Sequence, residues 1–168
     1  MAERTTPESR DDAAVEPETD RTVVIERVYD VPARVLFLAH SKPEHVRRWF
    51  GPSCYPLTLC EMDFRVGGRY RFAMTGPDGV QMTPFGGTYI EIIENRLISY
   101  TDAFEEDDAE TMTVTVTFNE EDGRTRLVHR TVFASVAMKQ QHLAQGYEQG
   151  LGASVDQLAA VVDELARA

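Results

Sequence analysis

Cysteine is scarce: the 168-residue chain holds two, Cys54 and Cys60. On one strand, six steps would set their Cα atoms roughly 20 Å apart, beyond the roughly 7 Å reach of a disulfide. No intrachain bridge is expected, in keeping with a reducing compartment. There is no C-x-x-C, no H-E-x-x-H and no Cys/His cluster, so neither a metal nor a dithiol redox site is expected. No G-x-G-x-x-G follows a strand, which removes the dinucleotide fingerprint and leaves no cofactor to expect. A G-x-S-x-G nucleophile elbow is also missing. Basic residues are few, 17 against 28 acidic ones, for a net charge of -11. A phosphate backbone is therefore a poor partner. Apolar runs such as Ala159–Val162 are far too short to span a bilayer. The first residues lack the basic-then-apolar profile of a secretory signal. A soluble, cytoplasmic chain of one domain is the expectation.

The charge is concentrated. Residues 1–20 carry seven acidic and two basic side chains, two prolines and one large aliphatic residue, Val15. That composition cannot bury enough apolar surface to offset chain entropy. It reads as a disordered acidic tail before a folded domain over 21–168. A second acidic run, Glu105-Glu106-Asp107-Asp108-Ala109-Glu110, reads as a solvated loop between strands.

Thr22–Tyr29 is rich in β-branched residues and reads as a strand. Asp30-Val31-Pro32 stops it, and Ala33–His40 reads as a short helix after a proline suited to a first turn. Ser41-Lys42-Pro43-Glu44 fits a capping box for a second short helix, running to Trp49 and ended by Gly51-Pro52. Strands follow at Tyr55–Phe64, Arg69–Thr75, about 81–94 and Leu97–Ala103. Thr111–Phe118 alternates strictly, with Met112, Val114, Val116 and Phe118 on one face and threonines on the other. Asp122-Gly123 turns it into Arg124–Phe133. Leu127, His129, Thr131 and Phe133 share one face of that strand. A long helix over Val136–Arg167 closes the chain, with a stripe of Leu143, Tyr147, Leu151, Val155, Leu158, Val162 and Leu165. Gly146, Gly150 and Gly152 interrupt it at about 1 kcal/mol each, so close approach to a sheet or ligand is expected to compensate. A meandering sheet with one apolar face needs a cover, and this helix supplies one.

The order resembles the α+β helix-grip fold of the START-like (SRPBCC) superfamily: a curved antiparallel sheet of six to seven strands around a long C-terminal helix. Local motifs narrow the resemblance. Tyr29-Asp30-Val31-Pro32, Lys42–Pro52 with its Trp49-Phe50-Gly51-Pro52 ending, Asp63–Tyr70, Leu127-Val128-His129 with Phe133, and Gly146–Leu151 are similar to segments of proteins homologous to the activator of heat-shock protein 90 ATPase. Tyr147 stands where that family often has Trp, and the N-terminal chaperone-docking domain of the eukaryotic activators has no counterpart here. The resemblance implies a cavity between sheet and long helix for an apolar or aromatic small molecule.

Within that frame the candidate ligand-binding residues are Met112, Val114, Val116, Phe118 and Leu127 as the inner wall. Trp49, Tyr147 and Leu151 form the lid side, and Tyr100 and His129 add polarity. Trp49 reads equally as cavity wall and as core plug. His129 reads as a ligand donor or general base, or as a neutral core histidine. His40 and His45 are expected at the surface, and His142 at a helix edge. Glu61 is a buried acid if Leu57 and Leu59 face inward. It is an ordinary surface residue if Cys60, Met62 and Phe64 do, which is the more apolar set. Asp63 and Arg65 are expected to pair locally beside the Gly67-Gly68 turn. The leading function is a binding module for a hydrophobic small molecule, as a monomer or homodimer. The alternatives are a chaperone-ATPase-stimulating or other protein-interaction module, and a cyclase- or hydrolase-type enzyme using His129 with a tyrosine or an acid.

Overall fold

Strict alternation on β6 (Met112–Glu121) and β7 (Arg124–Val132) fixes the centre of the sheet. On β6, Met112, Val114, Val116 and Phe118 are buried, and on β7, Thr125, Leu127, His129 and Thr131. A two-residue period can bury only one face, and these are the residues of that face. In the computed structural model, which describes residues 16–168, β1 (Thr22–Tyr29) pairs with β7, so the first strand closes against the last. The remaining strands are β2 (Leu57–Met62), β3 (Arg69–Met74), β4 (Phe85–Ile93) and β5 (Leu97–Phe104). All seven form one antiparallel, curved sheet in the order β1-β7-β6-β5-β4-β3-β2. With its covering helices this is the α+β helix-grip fold.

Part of the segment expected to be a disordered tail is ordered. Residues 1–15 lie outside the described residues, but Glu18–Arg21 forms a 3-10 turn. Glu18 pairs with Arg130 of β7 at 2.5 Å, and Arg21 Nη1 donates to the Phe133 carbonyl at 2.8 Å. Charges that look merely solvating in sequence find basic and backbone partners on and just after β7.

Helix α1 (Ala33–Ser41) and helix α2 (Pro43–Trp49) follow β1. The capping box expected from Ser41 and Glu44 is not formed. Ser41 belongs to α1, and its hydroxyl donates back to the Leu38 carbonyl at 2.9 Å. Lys42 caps α2 without a side-chain bond, at φ -129° and ψ 135°. Pro43 imposes that extended conformation on its predecessor.

The single C-terminal helix is two. Helix α3 (Val136–Ala144) is capped by Ser135, whose hydroxyl accepts from the Met138 amide at 3.0 Å. Gly146 then adopts φ +86°, and α4 (Tyr147–Arg167) begins. A left-handed residue cannot continue a right-handed helix, and glycine takes that conformation without steric penalty. The expected compensation for Gly150 and Gly152 is not found. A Cβ on Gly150 would meet nothing within 4 Å, and one on Gly152 only the end of Arg27 at 3.8 Å.

Helix α4 packs on α1, α2 and β1. Ser154, Val155, Leu158, Val161 and Val162 form its buried face. The Tyr29 hydroxyl donates to the Val155 carbonyl at 2.6 Å, pinning α4 to β1. The core is divided. The main cluster runs from α1, α2 and α4 across the sheet, while Val23, Met112, Phe133 and Met138 form a smaller one under α3.

Candidate functional site

A cavity of about 50 Å³ lies between the β3–β5 half of the sheet and the short helices. Its floor follows from strand parity. On β3 the alternate residues Tyr70 and Phe72 face it, and on β5 Ile98, Tyr100 and Asp102. Strand β4 adds Phe85 and Tyr89, and Met62 comes from the end of β2. A register shift between Leu57 and Leu59 lets Leu57 and Cys60 both point inward. Glu61 is consequently exposed, and Asp63 and Arg65 pair with each other at 2.9 Å. The roof is His40 at the end of α1, Val46 and Trp49 of α2, and Phe50.

The roof is tied down. The Gly51 amide donates to Ser154 Oγ at 2.8 Å, and Gln157 Nε2 donates to the carbonyls of Gly51 and Trp49. Gly51 needs φ +81° to turn the chain there, and a Cβ would lie 2.9 Å from the Met74 sulfur. The Trp49 indole N–H donates to the Ala39 carbonyl at 3.0 Å, so it is committed within the roof.

Tyr70, Tyr89 and Tyr100 cluster with ring centroids 5.3 to 6.2 Å apart. Phe50 stacks on Phe85 at 5.9 Å, and His40 tilts over Trp49 at 4.7 Å. Aromatic groups thus supply most of the wall. The acid among them is Asp102. Its Oδ1 is shielded from solvent and has no hydrogen-bond partner among the described residues. Burial pushes its carboxyl up to about 7, with smaller opposing effects from the Tyr70 hydroxyl and the Ala103 amide. The Tyr70 hydroxyl donates instead to the Thr101 carbonyl at 2.8 Å. Burial also raises Tyr70, Tyr89 and Tyr100, which stay neutral phenols.

His40 corrects the surface expectation. It sits four residues after the buried Leu36, on the same side of α1, and lines the cavity. Burial brings it down to about 4, against a weaker pull from the Leu36 carbonyl 2.7 Å from Nδ1. A carbonyl only accepts, so Nδ1 carries the proton of the neutral ring.

Of the residues expected to bind ligand, Trp49 and Tyr100 line the cavity. Val114, Val116, Phe118 and Leu127 do not: they are solid core, with Phe118 one layer behind His40 at 5.2 Å. Met112 belongs to the separate cluster under α3. Tyr147 packs there too, its ring 5.4 Å from Phe133 and its hydroxyl bonded to Thr131 Oγ1 at 2.7 Å. Leu151 is half-buried at the margin of the main core. His129 is buried at the sheet centre, with no partner for Nδ1 among the described residues. Burial, and to a lesser degree the charge of His40, brings it down to about 4. The Tyr147 hydroxyl is bonded to Thr131 rather than to His129.

Asp102 and Tyr70 escape a reading of the sequence, yet a trace is legible. An acid two residues beyond Tyr100 and four beyond Ile98, on their parity, is out of place unless the face is polar or functional.

A larger depression of about 600 Å³ opens on the β2–β5 side, lined by Glu61, Asp63, Arg69, Arg71 and Glu105. Its charges compensate one another, Arg71 with Glu105 at 2.5 Å, in half-exposed pairs that are weak organisers of a ligand. Among the described residues no helix is long and apolar enough to cross a membrane.

No curated protein matches the chain. Solved structures do. A Mycobacterium smegmatis protein is 28% identical, covers 88% of this chain and 94% of its own, and superposes with a TM-score of 0.77. An Arthrobacter aurescens protein at 24% identity covers 89% and 90% with a TM-score of 0.80. A Nitrosomonas europaea protein at 20% covers 88% and 97% with 0.79. The last two establish likeness of fold alone. The family model described as Activator of Hsp90 ATPase homolog 1-like protein matches residues 30–163, taking in both short helices, the cavity and most of α4. The chain belongs to that family.

Proposed function

We propose that this protein binds a small aromatic or apolar molecule in the cavity between β3–β5 and the α1–α2 roof. The observation that carries this reading is the wall itself: packed aromatic rings around one carboxyl oxygen that no group among the described residues satisfies. Apolar and aromatic lining with a few fixed polar groups is the usual make-up of a small-molecule site. Membership of a family whose fold commonly binds hydrophobic ligands supports it. A cavity of about 50 Å³ holds a few waters and no ring; about 150 Å³ suffices for benzene. Binding therefore displaces part of the roof. Phe50 is the natural element to yield, since it is half-buried and lies between α2 and the Gly51 turn.

Trp49 is the only tryptophan and lies in the wall, so its fluorescence reports occupancy directly. Titration with toluene, excited at the indole edge, is expected to saturate. In Ile98→Phe, which fills the floor, the same titration is expected to give no saturable change while circular dichroism confirms the fold. Equal saturation in the filled variant would place binding elsewhere and refute the reading.

A further inference from the structure

The charge character of the cavity restricts what fits it. Its lining contains no lysine or arginine. The ionisable groups there are Asp102, the three tyrosines and His40, and His40 is held neutral by burial. Ring faces carry the negative part of the aromatic quadrupole and attract cations. An aromatic wall and a carboxyl thus both suit positive charge, and no basic side chain in the wall neutralises an anion.

One oxygen of the carboxyl also lacks a donor among the described residues. Asp102 Oδ1 is fully shielded and unpartnered, and buried acceptors are ordinarily satisfied. The nearest phenol, Tyr70, spends its proton on the Thr101 carbonyl. Gly87, the register partner of Tyr70 on β4, brings no side chain to that part of the sheet. Its backbone could carry none, since a Cβ would lie 2.0 Å from the Thr101 carbonyl oxygen. A ligand group reaching Asp102 must therefore bring its own donor into a site that also rewards positive charge.

We propose that the natural occupant is a small amine, with its ammonium on Asp102 Oδ1 beside the Tyr70–Tyr89–Tyr100 cluster and its apolar body under Trp49 and Phe50. This rests on the cavity being a ligand site, and the test separates the two claims.

Benzylamine, ethylbenzene and phenylacetate share one ring and differ in the charge of the tail. Each is titrated into the full chain at pH 8, followed by Trp49 fluorescence, with wild type and Asp102→Asn in parallel. Wild type is expected to bind benzylamine at least tenfold more tightly than ethylbenzene, and phenylacetate weakest. In Asp102→Asn, benzylamine is expected to lose at least tenfold while ethylbenzene is unchanged. If ethylbenzene matches benzylamine in wild type, or benzylamine is indifferent to the substitution, the amine assignment fails and the apolar site stands. If none of the three saturates on wild type, the site itself fails and the assignment with it. Should Asp102→Asn not fold, the wild-type ligand series still decides.

Discussion

Asp102→Asn changes a charge and little else in shape, and its effect on stability can be worked from the structure. Burial lifts the Asp102 carboxyl from 3.8 to about 7 in the native state. The native protein then holds a proton that the unfolded chain releases between those values. Stability contributed by this group falls as pH rises from about 4 to 7, because the native state must either keep the proton or bury a charge. At pH 5 wild-type Asp102 is mostly protonated, and at pH 8 mostly ionised. Each tenfold difference in proton affinity between the folded and unfolded chain is worth about 1.4 kcal/mol, so the advantage of Asn over Asp grows by about 2 to 3 kcal/mol across that interval. For a domain of this size that corresponds to roughly 6 °C in Tm. The assay is a pair of thermal melts, wild type and Asp102→Asn, from pH 5 to 8. The phenols facing the carboxyl, Tyr70 on β3, Tyr100 on β5 and Tyr147 on α4, are all raised and stay neutral throughout. His40 and His129 titrate in both proteins and cancel in the difference. A Tm difference that does not change with pH would refute the burial argument. An acid that weakens the fold at neutral pH is the pattern expected of a group kept for binding rather than for stability.

Three further outcomes follow from the same geometry. His40 and His129 both titrate at about 4 in the native protein, below the 6.5 of a free histidine. Their stability is fully present above pH 6.5 and lost as pH falls toward 4. With two such groups against one opposing carboxyl, urea midpoints should drop steadily below pH 6, and His129→Leu should flatten that drop; a midpoint that holds level from pH 6 to 4 would contradict it. Gly87→Ala would put a Cβ 2.0 Å from the Thr101 carbonyl oxygen and 2.6 Å from its hydroxyl. Parting β4 from β5 to relieve this should destabilise by about 3 kcal/mol or more in denaturant unfolding, and a change inside experimental error would count against the clash. Ser154→Ala removes the acceptor of the buried Gly51 amide, bonded at 2.8 Å. The expected loss is about 1 to 3 kcal/mol, with faster ligand exchange under the roof by line-shape analysis. Unaltered exchange would mean that this bond does not hold the roof.

The alternating strands and the segment order could be read along the chain because a strand or helix face is a local property. Met112, Val114, Val116 and Phe118 declared an inward face by spacing alone, and all four are buried. Which part of the inward surface stays hollow is not local. Gly146 splits the last helix, α4 settles on α1, α2 and β1, and the β6–β7 face fills solidly. The hollow is left over β3–β5, where Phe50 and Trp49 bridge it. Trp49 and Tyr100 therefore reach the cavity, while the other residues expected to bind ligand, inward-facing or partly buried as their spacing implies, lie outside it.

His40 and Asp102 show the boundary most clearly. Each sits at a position whose helical or strand spacing marks it as inward, beside Leu36 and beside Tyr100. The sequence by itself determined the order of the elements and the inward face of the alternating strands, since these follow from period and turn chemistry, but not the burial of His40 or the division of the last helix. Only the tertiary structure decided that Asp102 Oδ1 would lie without a donor among aromatic rings. That depends on residues from four strands and two helices meeting, and no spacing within one segment encodes it.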